Sequence, residues 1–344
     1  MARLIRVVPG VDPGFRRQRS GSGFRYVDPT GAPAPEADRE RINDLVIPPA
    51  WRDVWIAADP LAHIQAVGID QADRKQYLYH PLWRVSRDRR KFVRALDLAS
   101  ALPSARAQVT RALREEGQTK DRALAIAFRL LDDAALRIGS ERYLARHGSR
   151  GLTTLRRRDV RLDGRDVALS FPAKSGRTAS IEITDEALAE ALTDFAAGAS
   201  NAFLLAYRKG RRRVKITPAE VNAYLKDVLG ASFTAKDFRT LHGTIIAADA
   251  LARIGALDRK GQRAQAERLA VQAAATALGN TTAVARNSYI DPRVFRQYAR
   301  GRTLDLDVTP ETAIRRLLGG PETSRKVNRR GTSRGRRSAA ARAA

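Results

Sequence analysis

The chain has 344 residues, no cysteine and a formal net charge of +26. The absence of cysteine excludes disulfides, thiolate zinc sites and thiol nucleophiles, and no two of its four histidines (His63, His80, His147, His242) stand at metal-ligand spacing. A basic excess of this size points to nucleic acid ahead of a membrane surface or a ribosome. Of the 63 basic residues 53 are Arg, the better bidentate phosphate ligand; GC-rich coding also raises Arg and Ala, but it does not suppress acids and so leaves the net charge unexplained.

In chain order, residues 1–22 are rich in Arg, Gly and Ser and read as a flexible basic arm. They hold no long apolar stretch of the signal-peptide kind, and no later run approaches a membrane span, so the expected location is the cytoplasm, on the nucleoid. Gly23-Phe24-Arg25-Tyr26-Val27 followed by Asp28-Pro29-Thr30-Gly31 reads as a strand and a turn. Residues 36–45 form a short polar helix stopped by Pro48-Pro49. Short strands follow at residues 54–57, 64–68 and 76–79. Residues 23–90 thus make a small strand-rich domain, with the charge run over 84–91 placed as its hinge.

Helical periodicity dominates residues 91–320. Residues 121–146 form one long amphipathic helix. Residues 167–171 and 178–183 alternate as strands, with Lys174 at the hairpin tip between them. Thr217-Pro218-Ala219-Glu220 is a capping box with Pro at the first helical position. Thr234 caps the next helix, and Gly279 ends the one over 262–278. A further short helix carries Arg286 and Tyr289. Residues 321–344 hold eight bases and one acid and read as a disordered basic tail. The chain is α+β: a small strand-rich part followed by a larger, mainly helical one.

Two segments carry chemistry. Lys236, Arg239 and Gly243 fall at steps of three and four on one helix face. A mid-helix glycine costs about 1 kcal/mol relative to alanine, so something passes close to Gly243, either a packed neighbour or a DNA backbone. Tyr289 ends the stretch Asn280-Thr281-Thr282-Ala283-Val284-Ala285-Arg286-Asn287-Ser288-Tyr289. A phenol with a reference pKa of about 10 is a weak nucleophile at neutral pH. Used against a phosphodiester, it must be surrounded by positive charge and hydrogen-bond donors. Taken singly, each residue has a plainer reading: Arg137, four after Asp133, as a surface ion pair; Lys174 as a solvated turn lysine; Tyr289 as a core tyrosine; Tyr77 and Tyr79 as one packed strand face. No Gly-x-x-x-x-Gly-Lys motif for a nucleotide is present, and no carboxylate cluster of the two-metal kind stands out.

Taken in order, these segments resemble the type IB DNA topoisomerases of the small poxvirus-like and bacterial kind, from about Phe24 to Pro292. The most specific parts are Lys236-x-x-Arg239-Thr-x-x-Gly-Thr244 and Ser288-Tyr289, supported by Leu136-Arg137-Ile138-Gly139 with Tyr143, by Lys174, and by Arg74-Lys75-Gln76-Tyr77-Leu78-Tyr79. The resemblance implies a two-lobed clamp around double-stranded DNA, with a catalytic domain of the tyrosine recombinase and type IB topoisomerase kind, acting as a monomer without cofactor, ATP or obligatory metal. Tyr289 would form a 3′-phosphotyrosyl link and free a 5′-hydroxyl, which later reseals the strand. Arg137 and Arg239 would stabilise the phosphorane, and Lys174 would protonate the 5′-oxygen. The family usually carries a histidine where this chain has Asn280, which can donate a hydrogen bond but cannot become a cation. DNA contacts are expected from Arg74, Lys75, Gln76, Tyr77 and Tyr79 in the first lobe, and from Gly139, Tyr143 and Lys236 in the second. Two alternatives compete. Tyrosine recombinases normally carry His-x-x-Arg where Lys236-x-x-Arg239 stands here. A non-enzymatic nucleoid protein would have no use for Tyr289.

Overall fold

Apolar residues at a period of two build the first region as a sheet. The computed structural model describes residues 3–230 and 233–319. Its first five strands, β1 (Gly14–Ser20), β2 (Gly23–Val27), β3 (Arg52–Ala57), β4 (Ile64–Ile69) and β5 (Lys75–Tyr79), form an antiparallel sheet in the order β2-β1-β3-β4-β5. Helix α1 (Glu36–Asp44) buries Ile42 in a small core with Phe15, Val54, Ile56 and Ala66. β5 is therefore an edge strand, with one rim free for a partner.

The expectation of a flexible arm over residues 1–22 does not hold for Gly14–Ser20, which is β1 and pairs on both sides. The arginines that suggested an arm have other work. Arg17 reaches the carbonyls of Pro48 and Trp51 (3.1 and 2.6 Å) and so satisfies the turn that leads into β3.

The hinge placed at residues 84–91 is likewise corrected. Helix α2 runs unbroken over Pro81–Leu113. Pro81 lies in its first turn, where the missing N–H has no intrahelical partner to lose, and His80 Nδ1 accepts from Leu82 N at 3.1 Å. Arg84, Arg87, Lys91 and Arg94 recur at three- and four-residue steps, so the charge run is one face of a helix. The buried stripe begins at Phe92 and continues through Ala95, Leu98 and Leu102.

Helix α3 (Lys120–Ala134) packs its buried stripe on α2. It ends well short of the expected residue 146: Ala135 takes a left-handed conformation (φ 48°), and α4 (Glu141–His147) starts separately. Strands β6 (Val160–Asp163), β7 (Asp166–Pro172) and β8 (Thr178–Thr184) make an antiparallel meander. Then come α5 (Glu186–Ala196), the hairpin β9 (Ala206–Lys209) with β10 (Arg212–Lys215), and α6 (Pro218–Leu229), which opens on the predicted capping box at Thr217. Helix α7 (Ala235–Ile254) runs through the centre, with Phe238 edge-on to Phe128 of α3 at 5.6 Å. The chain closes with α8 (Lys260–Ala277), α9 (Thr282–Ser288), α10 (Arg293–Tyr298) and α11 (Pro310–Gly319). The tail expected over 321–344 lies outside the described residues. Among the described residues no helix is long and apolar enough to cross a membrane.

Candidate active site

The site is assembled around Arg239, on the second turn of α7. That helix is started by Thr234 and Asp237: the Asp237 carboxylate accepts from Thr234 N (2.8 Å) and from the Thr234 hydroxyl (2.9 Å), and pairs with Arg94 of α2 at 2.7 Å. An acid in the first turn complements the helix dipole, and here it also fixes α7 to α2. Two residues on, Arg239 is only 5 % exposed. Its guanidinium donates to Ala135 O (2.6 Å) and Leu278 O (2.7 Å), so one side chain joins the turn before Arg137 to the turn before Asn280.

Arg137 lies in the loop between α3 and α4, which corrects its expected place on a helix. The Ala135 turn ends α3 before Asp133 and Arg137 can become helical neighbours. The loop lies flat on the next segment: Leu152 N donates to Arg137 O and Thr153 N to Ile138 O, both at 2.9 Å. Gly139 has φ 88°, and a Cβ there would come within 3.0 Å of Thr154 Oγ1. Its backbone conformation and packing therefore account for the glycine. The Arg137 guanidinium then reaches across to Gly279 O (2.9 Å) and Asn280 Oδ1 (2.5 Å). Because the Asn280 oxygen accepts from Arg137, its Nδ2 is left as a buried donor without a partner among the described residues, as is Arg239 Nε.

Tyr289 closes the group. It is the residue after the last turn of α9, with φ −128°, rather than a helix-interior residue. Its ring faces the Arg239 guanidinium at 5.0 Å. Gly243 explains how the tyrosine comes so close to α7: a Cβ at 243 would meet Tyr289 O at 2.9 Å and Tyr289 Cβ at 3.0 Å. The neighbour that passes Gly243 is the tyrosine itself. Burial pushes the Tyr289 phenol up, but Arg239, Lys236 and Arg137 outweigh it and hold the phenol below its ordinary value. Burial, with the like charge of Arg239, lowers Arg137; burial lowers Arg239. Neither guanidinium makes an ion pair among the described residues, so the pocket presents net positive charge.

The remaining expected residues fall outside this group. Lys174 is exposed on the short turn between β7 and β8, with no hydrogen bond or ion pair among the described residues. Lys236 is exposed on the first turn of α7 and lines a groove of about 600 Å³ with Tyr79, Trp83, Arg87 and Ser288. On β5, Tyr77 and Tyr79 stack on one another at 5.9 Å, with Lys75 beside the Tyr77 ring and Arg87 beside that of Tyr79. Tyr77 is 39 % exposed, so the packed-core reading of this pair does not hold. Arg74 and Gln76 both hydrogen-bond Asp70 at 2.8 Å, which holds that carboxyl well below its usual range, Arg74 first. Tyr143 is exposed on α4. Sequence reasoning passed over the basic face of α2 along this groove, although its helical spacing was readable. It also passed over Gly151, where a Cβ would strike Arg137 O at 2.6 Å.

Residues 74–302 match the family model of eukaryotic DNA topoisomerase I, catalytic core, more than half of the chain. This chain belongs to the type IB DNA topoisomerase family. Residues 23–70 match the bacterial DNA topoisomerase IB N-terminal domain. DNA topoisomerase 1B of Acanthamoeba polyphaga mimivirus is 28 % identical over 290 residues, covering 80 % of this chain and 85 % of that protein. The topoisomerase is thus an isomerase acting on DNA, with a strand-rich N-terminal and a helical C-terminal region. All four of Arg137, Arg239, Asn280 and Tyr289 lie inside the matched catalytic core.

Proposed function

We propose that this topoisomerase relaxes supercoiled duplex DNA by cutting one strand with Tyr289, holding the 3′-phosphate as a tyrosyl ester while the 5′-hydroxyl end rotates, and resealing without ATP or an obligatory metal. The observation that carries this reading is the phenol ring facing a buried guanidinium that makes no ion pair among the described residues. Two guanidiniums without an ion pair among the described residues, beside a nucleophile, provide what phosphoryl transfer needs, positioning and charge stabilisation. Arg239 and Arg137 stabilise the oxygens of the pentacoordinate phosphorane. The buried Asn280 Nδ2, without a partner among the described residues while Arg137 holds the Oδ1, donates to a non-bridging oxygen once DNA is bound. Lys174, on its exposed turn, delivers the proton to the departing 5′-oxygen once DNA brings the two together. The ester retains the energy of the broken bond, so the reverse attack reseals the strand.

In the same reading the two regions close around the duplex as a clamp, the helical one having the fold shared with tyrosine recombinases. The five-stranded sheet from β1 to β5 with α1 forms the DNA-binding lobe, and the helical region that α2 leads into forms the catalytic lobe. β5 contributes Lys75, Gln76, Tyr77 and Tyr79 to the DNA surface with Arg74, and the catalytic lobe contributes Gly139, Tyr143 and Lys236. The enzyme acts as a monomer on the nucleoid.

The test is relaxation of supercoiled plasmid in EDTA without ATP, wild type beside Tyr289→Phe. Relaxation by the wild type alone, with a covalent protein–DNA adduct trapped by denaturant, is the expected result. Relaxation by Tyr289→Phe, or plasmid binding with no relaxation by either protein, would sink the proposal.

A further inference from the structure

The catalytic cations account for the charge around the phenol but not for what holds Tyr289 in place, since α9 has already ended. Its N–H donates to Ala285 O at 3.0 Å, and the following Ile290 N–H donates to the same carbonyl at 3.1 Å. Its carbonyl turns to α7, where the Thr244 hydroxyl lies 3.1 Å away. The single proton of that hydroxyl stands between Tyr289 O and Thr240 O (2.8 Å), while its oxygen accepts from Asp291 N at 3.1 Å. One side chain, itself 2 % exposed, therefore grips the main chain on both sides of Ile290.

The far side of Ile290 is fixed as firmly. The Asp291 side chain, 3 % exposed, takes a bidentate pair from Arg293 at 2.6 to 3.1 Å. Arg293 Nη1 also reaches Leu318 O (3.2 Å) and Gln297 Nε2 reaches Leu317 O (3.0 Å), so the segment after the tyrosine is tied to the last turn of α11. The same helix presents Glu311 to Arg106 at 2.6 Å, and Arg106 in turn holds the fully buried Asp132 carboxylate at 2.7 Å, near the end of α3 that leads to Arg137. A buried bidentate pair fixes geometry more than it adds stability.

We propose that Thr244 and Asp291, the latter braced by Arg293, are positioning residues that hold the Tyr289 backbone at the distance from Arg239 that in-line attack requires. The proposal rests on Tyr289 being the nucleophile. None of the three touches the phenol hydroxyl, so their effect passes through the backbone. A displacement of about 1 Å at a reacting group can cost on the order of 100-fold in rate.

The experiment is single-turnover cleavage and religation on a duplex oligonucleotide that traps the covalent adduct, with DNA affinity and Tm measured on the same proteins. Thr244→Val keeps the shape and removes the hydroxyl. It should slow both steps together by roughly 10- to 100-fold, with DNA affinity unchanged and the pH profile of cleavage unmoved, because the cations around the phenol remain. Thr244→Ser restores the hydroxyl and should restore the rate. Arg293→Gln tests the brace from its half-exposed side and serves if Thr244→Val fails to fold; a several-fold slower cleavage at unchanged affinity is expected. Wild-type rates in Thr244→Val or Arg293→Gln, or a Ser variant as slow as the Val one, overturn the positioning role. Those outcomes leave a Tyr289-dependent adduct in place, whereas an adduct that persists in Tyr289→Phe removes the nucleophile reading itself.

Discussion

The buried centre on α7 and the exposed face of β5 both carry cations and tyrosines, yet they use them in opposite ways. Around Arg239 the two guanidiniums are bonded to backbone carbonyls and to the Asn280 amide oxygen and make no ion pair among the described residues. Along β5 the polar residues are held by a carboxylate, Asp70, and the tyrosines stack at the surface. A carbonyl orients a guanidinium without cancelling its charge, so the buried centre keeps its field for an incoming anion. An acid neutralises its partner in part and presets a conformation. The first arrangement suits chemistry on a phosphate, the second suits contact with DNA that is bound and released.

The largest effect should come from removing the buried charge. Arg239→Gln is expected to slow single-turnover cleavage by about 100- to 1000-fold while DNA affinity changes little. The phenol now lies below its ordinary value because the cations outweigh burial. Cleavage by the phenolate should therefore rise with pH along a limb centred below the usual tyrosine range, and the variant's limb should move to higher pH. A slowed variant whose limb does not move would break the electrostatic half of the comparison.

A smaller and opposite change is expected at Asn280. Asn280→His replaces a neutral donor with one that can carry charge, and charge-assisted hydrogen bonds are roughly twice as strong. Cleavage should quicken by a few-fold to about 10-fold; an unchanged or slower rate would mean that the Asn280 oxygen, which orients Arg137, matters more than the donor.

The smallest effect belongs to the exposed face. Lys75→Gln should weaken binding across DNA sequences and reduce the slope of log affinity against log salt by about 1, with the cleavage rate at saturating DNA unaltered. Titrating affinity over a salt series checks it, and a change in cleavage rate without a change in salt slope would erase the distinction between the two regions.

Within the site, what could be read in the sequence was what lies on one element. Lys236, Arg239 and Gly243 share a helix face, and the unfavourable glycine already indicated a close neighbour. The identity of that neighbour, Tyr289, was not local information. Arg137 shows the limit in the other direction. Its spacing from Asp133 suggested a helical ion pair, but the left-handed turn at Ala135 and the bed provided by Gly151 take it off the helix and towards Asn280, 143 residues away. The hinge and the arm were misread for a related reason. Dense charge resembles a solvated linker until a helix or a sheet gives each side chain a face.

By itself the sequence determined the succession of elements and the chemistry at hand. The Thr217 cap, the Gly279 stop, the alternation of β7 and β8 and the shared helix face of Lys236, Arg239 and Gly243 are all set by residues within a few positions of one another, where sterics and hydrogen bonding act directly. The tertiary structure alone decided that α2 runs unbroken from the sheet into the bundle, that Arg239 draws together the turns at Ala135 and Leu278, and that Thr244 holds the chain around Ile290. These depend on carbonyls and hydroxyls brought together from 39 to 104 residues away. Every residue offers a carbonyl, so the pattern of side chains carries no mark of which ones will meet.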